Sequence, residues 1–254
     1  MSDKAELLDL ALRVGKKAAE LLSARPDVLE VSTKSSDVDI VTQMDKASEA
    51  LIVSSILAER PNDGMIGEEG AERESTSGIT WVIDPLDGTV NYFYGMPGWN
   101  VSIAAKDKDG VLAGVVVSPT INSTWWATRG GGAFHNGKKL TCNDPVELNR
   151  TMLATGFAYE PEKRSLQLDF IKKLLPHIRD IRRNGAAAVD LCFVGSGNVD
   201  AYFESGLHEW DIAAGGLIAQ EAGAIMSQHQ IGGQNFVLTA GPHLHQILKN
   251  TLGL

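Results

Sequence analysis

Cysteine is scarce in this sequence, with only Cys142 and Cys192 among 254 residues. Neither lies in a CxxC pair or at Cys/His ligand spacing, so a disulfide framework and a structural zinc site both lack support. Long apolar runs are missing too. The opening MSDKAELLDLALRVGKKAAELL carries Asp3, Lys4, Glu6, Asp9 and Arg13 and has no continuous apolar core. A signal peptide or membrane span needs such a core, so no export and no membrane anchor are expected, and the chain reads as cytoplasmic. Positive charge is in deficit, 23 Lys and Arg against 32 Asp and Glu, a formal balance of −9. That balance repels nucleic acid and anionic lipid over most of the surface. A phosphorylated small molecule is still compatible with it if divalent cations stand between carboxylates and phosphate. No linker, low-complexity tract or internal repeat interrupts the chain.

What is present is ordinary globular composition, 43% hydrophobic and 22% charged, in a chain long enough to bury a substantial core. Leu7, Ala11, Val14, Ala18 and Leu21 recur at helical spacing ahead of Pro26, which predicts a first helix over 3–24. Thr42 and Asp45 form a capping-box pattern that opens a second helix running to Pro61. Between them VSTKSSDVDIVT alternates like a hairpin. From Met65 onward short apolar runs (MIG, ITWVI, VSIAAK, VLAGVVVSP, STWWATRGGGAF) predict a sheet of buried strands, with an Asn-Gly turn in HNGKK. After Arg150 strands and helices alternate, including a helix near 162–176 and another in DIAAGGLIAQEAG. Two α/β halves, about 1–145 and 146–254, are expected to pack as one compact unit.

The segment Trp81 to Thr89, WVIDPLDGT, runs a buried strand straight into two aspartates. Asp84 and Asp87 flank Pro85, which cannot continue a ladder, and Gly88 permits a tight turn. Two strand-end carboxylates suit a hard cation such as Mg²⁺, and they equally suit a plain turn cap. Glu68 and Glu69 end another short run at MIGEEG, as a solvated turn or as ligands. Asp211 follows Trp210 at the start of an apolar helix, where it complements the helix dipole.

Together, GEE at 67–69, WVIDPLDGTVNY at 81–92 and WDIAAGGLIAQEAG at 210–223 resemble the inositol monophosphatase family. TKSSDVDIVTQMD at 33–45, IRRNGAAAVDLC at 181–192 and DAYFESGLHEWD at 200–211 carry the resemblance over nearly the whole chain. It implies a layered α/β fold, with alternating α-β-α-β-α layers of the sugar-phosphatase type, and two to three Mg²⁺ ions. Glu68, Asp84 and the Leu86 carbonyl would hold one ion, and Asp84, Asp87 and Asp211 a second, with a third leaning on Glu68. The implied chemistry is metal-activated water attack on inositol monophosphate. Glu68 and Thr89, oriented by Asp45, would ready the water, and Asp45 is equally the closing residue of a capping box. Gly88 and Thr89 would offer amides to the phosphate, while Asp87, Gly185, Ala186, Ala187 and Glu204 would line the polyol side. For the alanines, close helix packing is an equal reading.

Relatives with the same metal motif act on histidinol phosphate, fructose 1,6-bisphosphate or 3′-phosphoadenosine 5′-phosphate, and some bacterial members associate with the transcription machinery. A homodimer and lithium sensitivity are also implied. Ala186 stands where Thr or Ser is frequent, which removes one hydroxyl near the substrate. The stretch MSQHQIGGQNF is expected to be a trimmed surface turn. Lys34 is expected near the metal-site entrance or in a solvated loop. His208 is expected to pack behind the site, and His229, His243 and His245 show no useful spacing.

Overall fold

The computed structural model describes residues 4–34 and 39–254. Helix α1 (Lys4–Ser23) buries Leu7, Leu10, Ala11, Val14, Ala18 and Leu22, the stripe set by its apolar period. Strands β1 (Val31–Thr33) and β2 (Ile40–Thr42) pair antiparallel, and the middle of the expected hairpin, 35–38, lies outside the described residues. Helix α2 (Gln43–Glu59) opens on the anticipated capping box. Thr42 Oγ1 accepts from the Met44 amide, and Asp45 accepts from the Thr42 amide.

An eight-stranded sheet follows. It contains β3 (Gly64–Gly67), β4 (Glu72–Arg73), β5 (Thr80–Asp87) and, past the short helix α3 (Thr89–Phe93), β6 (Asn100–Asp107) and β7 (Gly110–Ser118). Then come β8 (Ser123–Thr128), β9 (Gly132–His135) and β10 (Lys138–Lys139). The spatial order is β10-β9-β8-β7-β6-β5-β3-β4, antiparallel throughout except where β3 and β5 run parallel. Asn136 and Gly137, both left-handed with φ of 47° and 84°, make the tight β9–β10 turn.

The second half comprises β11 (Met152–Thr155), α4 (Pro161–Leu174), β12 (Asp180–Arg182), α5 (Ala187–Gly195), β13 (Ala201–Ser205), α6 (Glu209–Glu221), β14 (Ile225–Ile231), β15 (Gln234–Ala240) and α7 (Pro242–Leu252). Its sheet is ordered β12-β11-β13-β15-β14. Two features differ from expectation. MSQHQIGGQNF is a full hairpin turning at Gly232 and Gly233, its polar residues occupying a half-exposed strand. Helix α7 was not anticipated, although Pro242 at its start and Leu244, Leu248 and Leu252 every fourth residue are ordinary helix signals.

Four apolar seams separate five layers. Trp81, Ile83, Ile103, Val115 and Val117 face α1 and α2, whereas their neighbours Val82, Ala104 and Val116 point oppositely, toward α5 and α6. Leu191, Val194 and Ala219 on the far side of those helices meet Ala154, Tyr202 and Val237 of the second sheet. Its outer face, with Leu153, Phe203, Phe236 and Leu238, is covered by α4 and α7. The α-β-α-β-α layering is therefore observed.

The central helices approach closely at Gly215, where a Cβ would lie 2.8 Å from the Ala188 carbonyl oxygen and 2.9 Å from Leu191 Cβ. Gly215→Ala is expected to cost about 1–3 kcal/mol by overpacking, read as a lower denaturant midpoint at unchanged slope. An unchanged midpoint would show that α5 and α6 can part freely.

Candidate active site

Parallel pairing of β3 and β5 sets Gly67 opposite Ile83, and the Glu68 amide donates to the Ile83 carbonyl at 3.1 Å. Glu68, just past the end of β3, therefore lies beside Asp84, which is still paired within β5 opposite Ser102. Pro85 does not end β5. It produces a register shift against β6 between Asp84 and Asp87, and pairing resumes at Asp87 with Asn100. Inside the shift Asp84 Oδ1 accepts from the Leu86 amide at 3.0 Å.

Helix α2 braces this edge with a buried polar face at positions 45, 48 and 49, one helical turn. Asp45 Oδ1 accepts from Thr89 Oγ1 at 2.8 Å while its other oxygen serves Thr42, so capping and orienting Thr89 are simultaneous roles. Ser48 Oγ donates to the Pro85 carbonyl at 2.8 Å. Glu49 accepts from the Glu69 and Ala71 amides at 2.9 and 3.0 Å and so shapes the GEE turn. Gly67 makes room for it, since a Cβ there would lie 2.2 Å from a Glu49 oxygen and 2.9 Å from Ala71 Cβ and would displace the glutamate. Ser48 and Glu49 escape sequence reading because nothing in their spacing distinguishes them from solvated helix positions.

Asp87 ties the two halves together. Its carboxylate accepts from the Ala187 and Ala188 amides at 3.2 and 2.9 Å and from Asn100 Nδ2 at 2.8 Å. Those amides begin α5, whose own cap residue, Ala186, has no side chain to offer, so Asp87 caps the helix from a distant strand. Asp211, third residue of α6, accepts from the His208 amide at 2.6 Å, and the His208 ring stacks on Trp210. Asn100, missed from the sequence, is fully buried, and its Oδ1 has no partner among the described residues.

Burial pushes Asp84 well above the usual carboxylate range, reinforced by Glu68, Asp87 and Asp211. Asp211 is likewise raised by burial, against the pull of the His208 amide, with Asp87 and Glu68 adding to the rise. Burial lifts Asp87 to about 6, while Asn100 and the Ala188 amide work the other way. Four acidic side chains from three distant segments thus share one electrostatic neighbourhood. Lys34 meets them: its Nζ donates to Glu68 Oε1 at 2.8 Å and also contacts Glu69. Burial opposes the Lys34 charge, yet these two partners raise its pKa overall. Among the described residues no three ligating side chains close into a ready cage. An all-oxygen set of this kind nevertheless fits a hard ion that retains several waters.

Gly88 is left-handed at φ 84°, and a Cβ there would touch Ala186 Cβ and the Gly185 oxygen at 3.3 Å. The Gly88 turn and the Gly185–Ala186 segment therefore adjoin. The Ala186 and Ala187 side chains are buried in helix packing, and the Ala187 amide is taken up by Asp87. Glu204 accepts from Tyr202 Oη at 2.7 Å, and burial lifts its pKa to about 7, against the opposing effects of Tyr202 and Arg183.

The family model for the inositol monophosphatase family matches residues 3–250. The chain belongs to the inositol monophosphatase family. Nus factor SuhB of Escherichia coli K12 is 42% identical over 92% of this chain and 88% of its own length. Inositol-1-monophosphatase of Mycobacterium bovis is 40% identical over 83% of this chain and 76% of its own. The crystal structure of extragenic suppressor protein suhB from Bartonella henselae superposes with a TM-score of 0.90 at 29% identity, covering 97% of this chain and 98% of that one.

The inositol monophosphatase family is one of phosphatases, and a small phosphorylated substrate follows from membership. Among the described residues no helix is long and apolar enough to cross a membrane. Other glycine-rich stretches are engaged elsewhere: in TRGGGAF the Gly130 and Gly132 amides donate to Glu221 at 2.7 and 2.8 Å, and Ser196 of GSGN accepts from Trp125 Nε1. His229 and His245, unremarkable in spacing, both meet Ser227 Oγ through Nε2, at 2.7 and 2.8 Å.

Proposed function

We propose that this chain is a Mg²⁺-dependent phosphomonoesterase that hydrolyses inositol monophosphate to inositol and phosphate. The observation that carries the reading is the gathering of Glu68, Asp84, Asp87 and Asp211, three of them raised in pKa by burial and mutual repulsion, beside the Thr89–Asp45 pair. Such a cluster is costly without cations. Glu68, Asp84 and the Leu86 carbonyl would hold one Mg²⁺, Asp84, Asp87 and Asp211 a second, and Glu68 would support a third. Bound there, the ions supply charge neutralisation at the phosphate and activation of water.

The chain's own residues do the rest. Thr89 points its hydroxyl proton at Asp45, which leaves the Thr89 oxygen lone pairs facing outward to accept a hydrogen bond from the attacking water. Glu68 shares that task and takes up the proton. Gly88 and Thr89 amides bind phosphate, with the left-handed Gly88 turn held close against the Gly185–Ala186 segment. Glu204 accepts from a ring hydroxyl, with Gly185 and the backbone at Ala186 completing that wall. The enzyme works in the cytoplasm as one compact unit of two halves, as a lithium-sensitive homodimer.

Phosphate release from D- and L-inositol 1-phosphate across a Mg²⁺ series tests this. Release is expected to require Mg²⁺ and to exceed that from histidinol phosphate, fructose 1,6-bisphosphate and 3′-phosphoadenosine 5′-phosphate. A clear preference for histidinol phosphate would overturn the substrate assignment. The Nus factor name carried by the Escherichia coli relative favours a second reading, a binding role. If an Asp84→Asn chain sustains the cellular role unchanged, catalysis is not its purpose.

A further inference from the structure

Strand β13 alternates its side chains, so Tyr202 and Glu204 share one face while Phe203 points into the opposite seam with Phe170 and Phe236. Tyr202 is fully buried, and its hydroxyl donates to Glu204 Oε2 at 2.7 Å. Glu204 also lies flat against Gly156, where a Cβ would fall 2.2 Å from both carboxylate oxygens. The two strands are locked at this level, Thr155 Oγ1 donating to the Phe203 carbonyl at 2.6 Å. The carboxylate is thereby held on one oxygen and braced on one flat side. Glu204 Oε1 makes no hydrogen bond among the described residues and is not sealed inside the fold. Arg183 and Asp87 are the charges that face it from neighbouring segments.

An ionised carboxylate oxygen of this kind is an acceptor only. Its free lone pairs match an alcohol hydroxyl and offer nothing to an apolar or acceptor-bearing leaving group. A free-swinging glutamate would give the same chemistry with weaker discrimination, because its ordering would have to accompany binding.

We propose that Tyr202 is a positioning residue that fixes Glu204 as a hydroxyl acceptor, and that this pair, seated on Gly156, selects phosphate esters whose alcohol carries a neighbouring free hydroxyl over esters of plain phenols. The inference rests on the phosphatase reading above and deepens it at the leaving-group side.

Inositol 1-phosphate and p-nitrophenyl phosphate, compared on the Mg²⁺-loaded enzyme, test it. Tyr202→Phe is expected to lower the kcat/KM ratio between the two esters by about tenfold, chiefly through a higher KM for inositol 1-phosphate, as loss of a hydrogen bond to a charged group implies. Glu204→Gln is expected to shift the ratio the same way, and the double variant no further than Glu204→Gln alone. Gly156→Ala, which displaces the carboxylate without touching the tyrosine, supplies a second variant should Tyr202→Phe fold poorly. A ratio within twofold of wild type in both Tyr202→Phe and Gly156→Ala overturns the inference, as does an equal loss on both esters. Absence of wild-type turnover on either ester would instead remove the phosphatase reading itself.

Discussion

If the proposed function holds, Asp84→Asn is expected to lower kcat/KM for inositol 1-phosphate by on the order of 10³-fold, because it would withdraw the ligand proposed to be shared by two ions from chemistry in which such ions contribute several kcal/mol. The same change is expected to raise the melting temperature of the metal-free protein. Asp84 is 2% exposed, burial and three neighbouring carboxylates all disfavour its charge, and an uncharged isostere relieves that repulsion while keeping an acceptor for the Leu86 amide. Activity and stability therefore move in opposite directions, a signature that a misfolded variant cannot imitate. Thermal melts in chelator beside steady-state rates decide it; activity within tenfold of wild type would remove Asp84 from the metal site. Asp87→Asn makes a poorer probe, because Asp87 also caps α5 through the Ala187 and Ala188 amides.

The second large effect is a pH dependence that magnesium reverses. Asp84, Asp87 and Asp211 are raised in the folded state, Asp87 to about 6, and Glu204 is raised to about 7. A carboxylate raised on folding binds more protons when folded than when unfolded, so its contribution is fully present below the ordinary value of about 4 and is lost as pH rises through the folded value. Metal-free protein should thus lose stability as pH rises from about 4 through the folded values of Asp87, about 6, and Glu204, about 7, with Asp84 and Asp211 acting in the same direction. On the proposed reading Mg²⁺ would bind the ionised forms, so its stabilisation should be small at pH 5 and several kcal/mol at pH 8 when the ion is in large excess over its dissociation constant. Melting curves with Mg²⁺ or chelator at both pH values measure this. An equal magnesium shift at pH 5 and pH 8 would contradict it.

Much of this was legible in the sequence for physical reasons. Leu7, Ala11, Val14 and Ala18 on α1 and the apolar runs at 81–83 and 101–105 declare their period directly, although Leu22 and not Leu21 ends the buried stripe, and the Thr42–Asp45 box fixes where α2 begins. The buried WVI run before Asp84 and Asp87 was legible, but the expected strand end at Pro85 was not what forms, since β5 continues through a register shift to Asp87. The rest depends on contacts between distant segments, which no local pattern encodes. Ser48 and Glu49 look like solvated helix residues until α2 docks on the DPLD edge. Asn100 reads as a strand start, and only the β5–β6 register sets it against Asp87. Hairpin β14–β15 was hidden because one of its faces is polar, which in a local window resembles a loop.

The clasp between Asp87 and the first turn of α5 limits how this scaffold can diversify. A replacement in the 185–188 loop would also tug on Asp87 through the Ala187 and Ala188 amides, so on the proposed reading substrate range and magnesium demand would be coupled. Position 204, on a strand fastened separately to Thr155, makes no hydrogen bond to Asp87 and meets it only through charge. New leaving-group preferences should therefore arise, or be engineered, more readily from β13 than from the alanine loop.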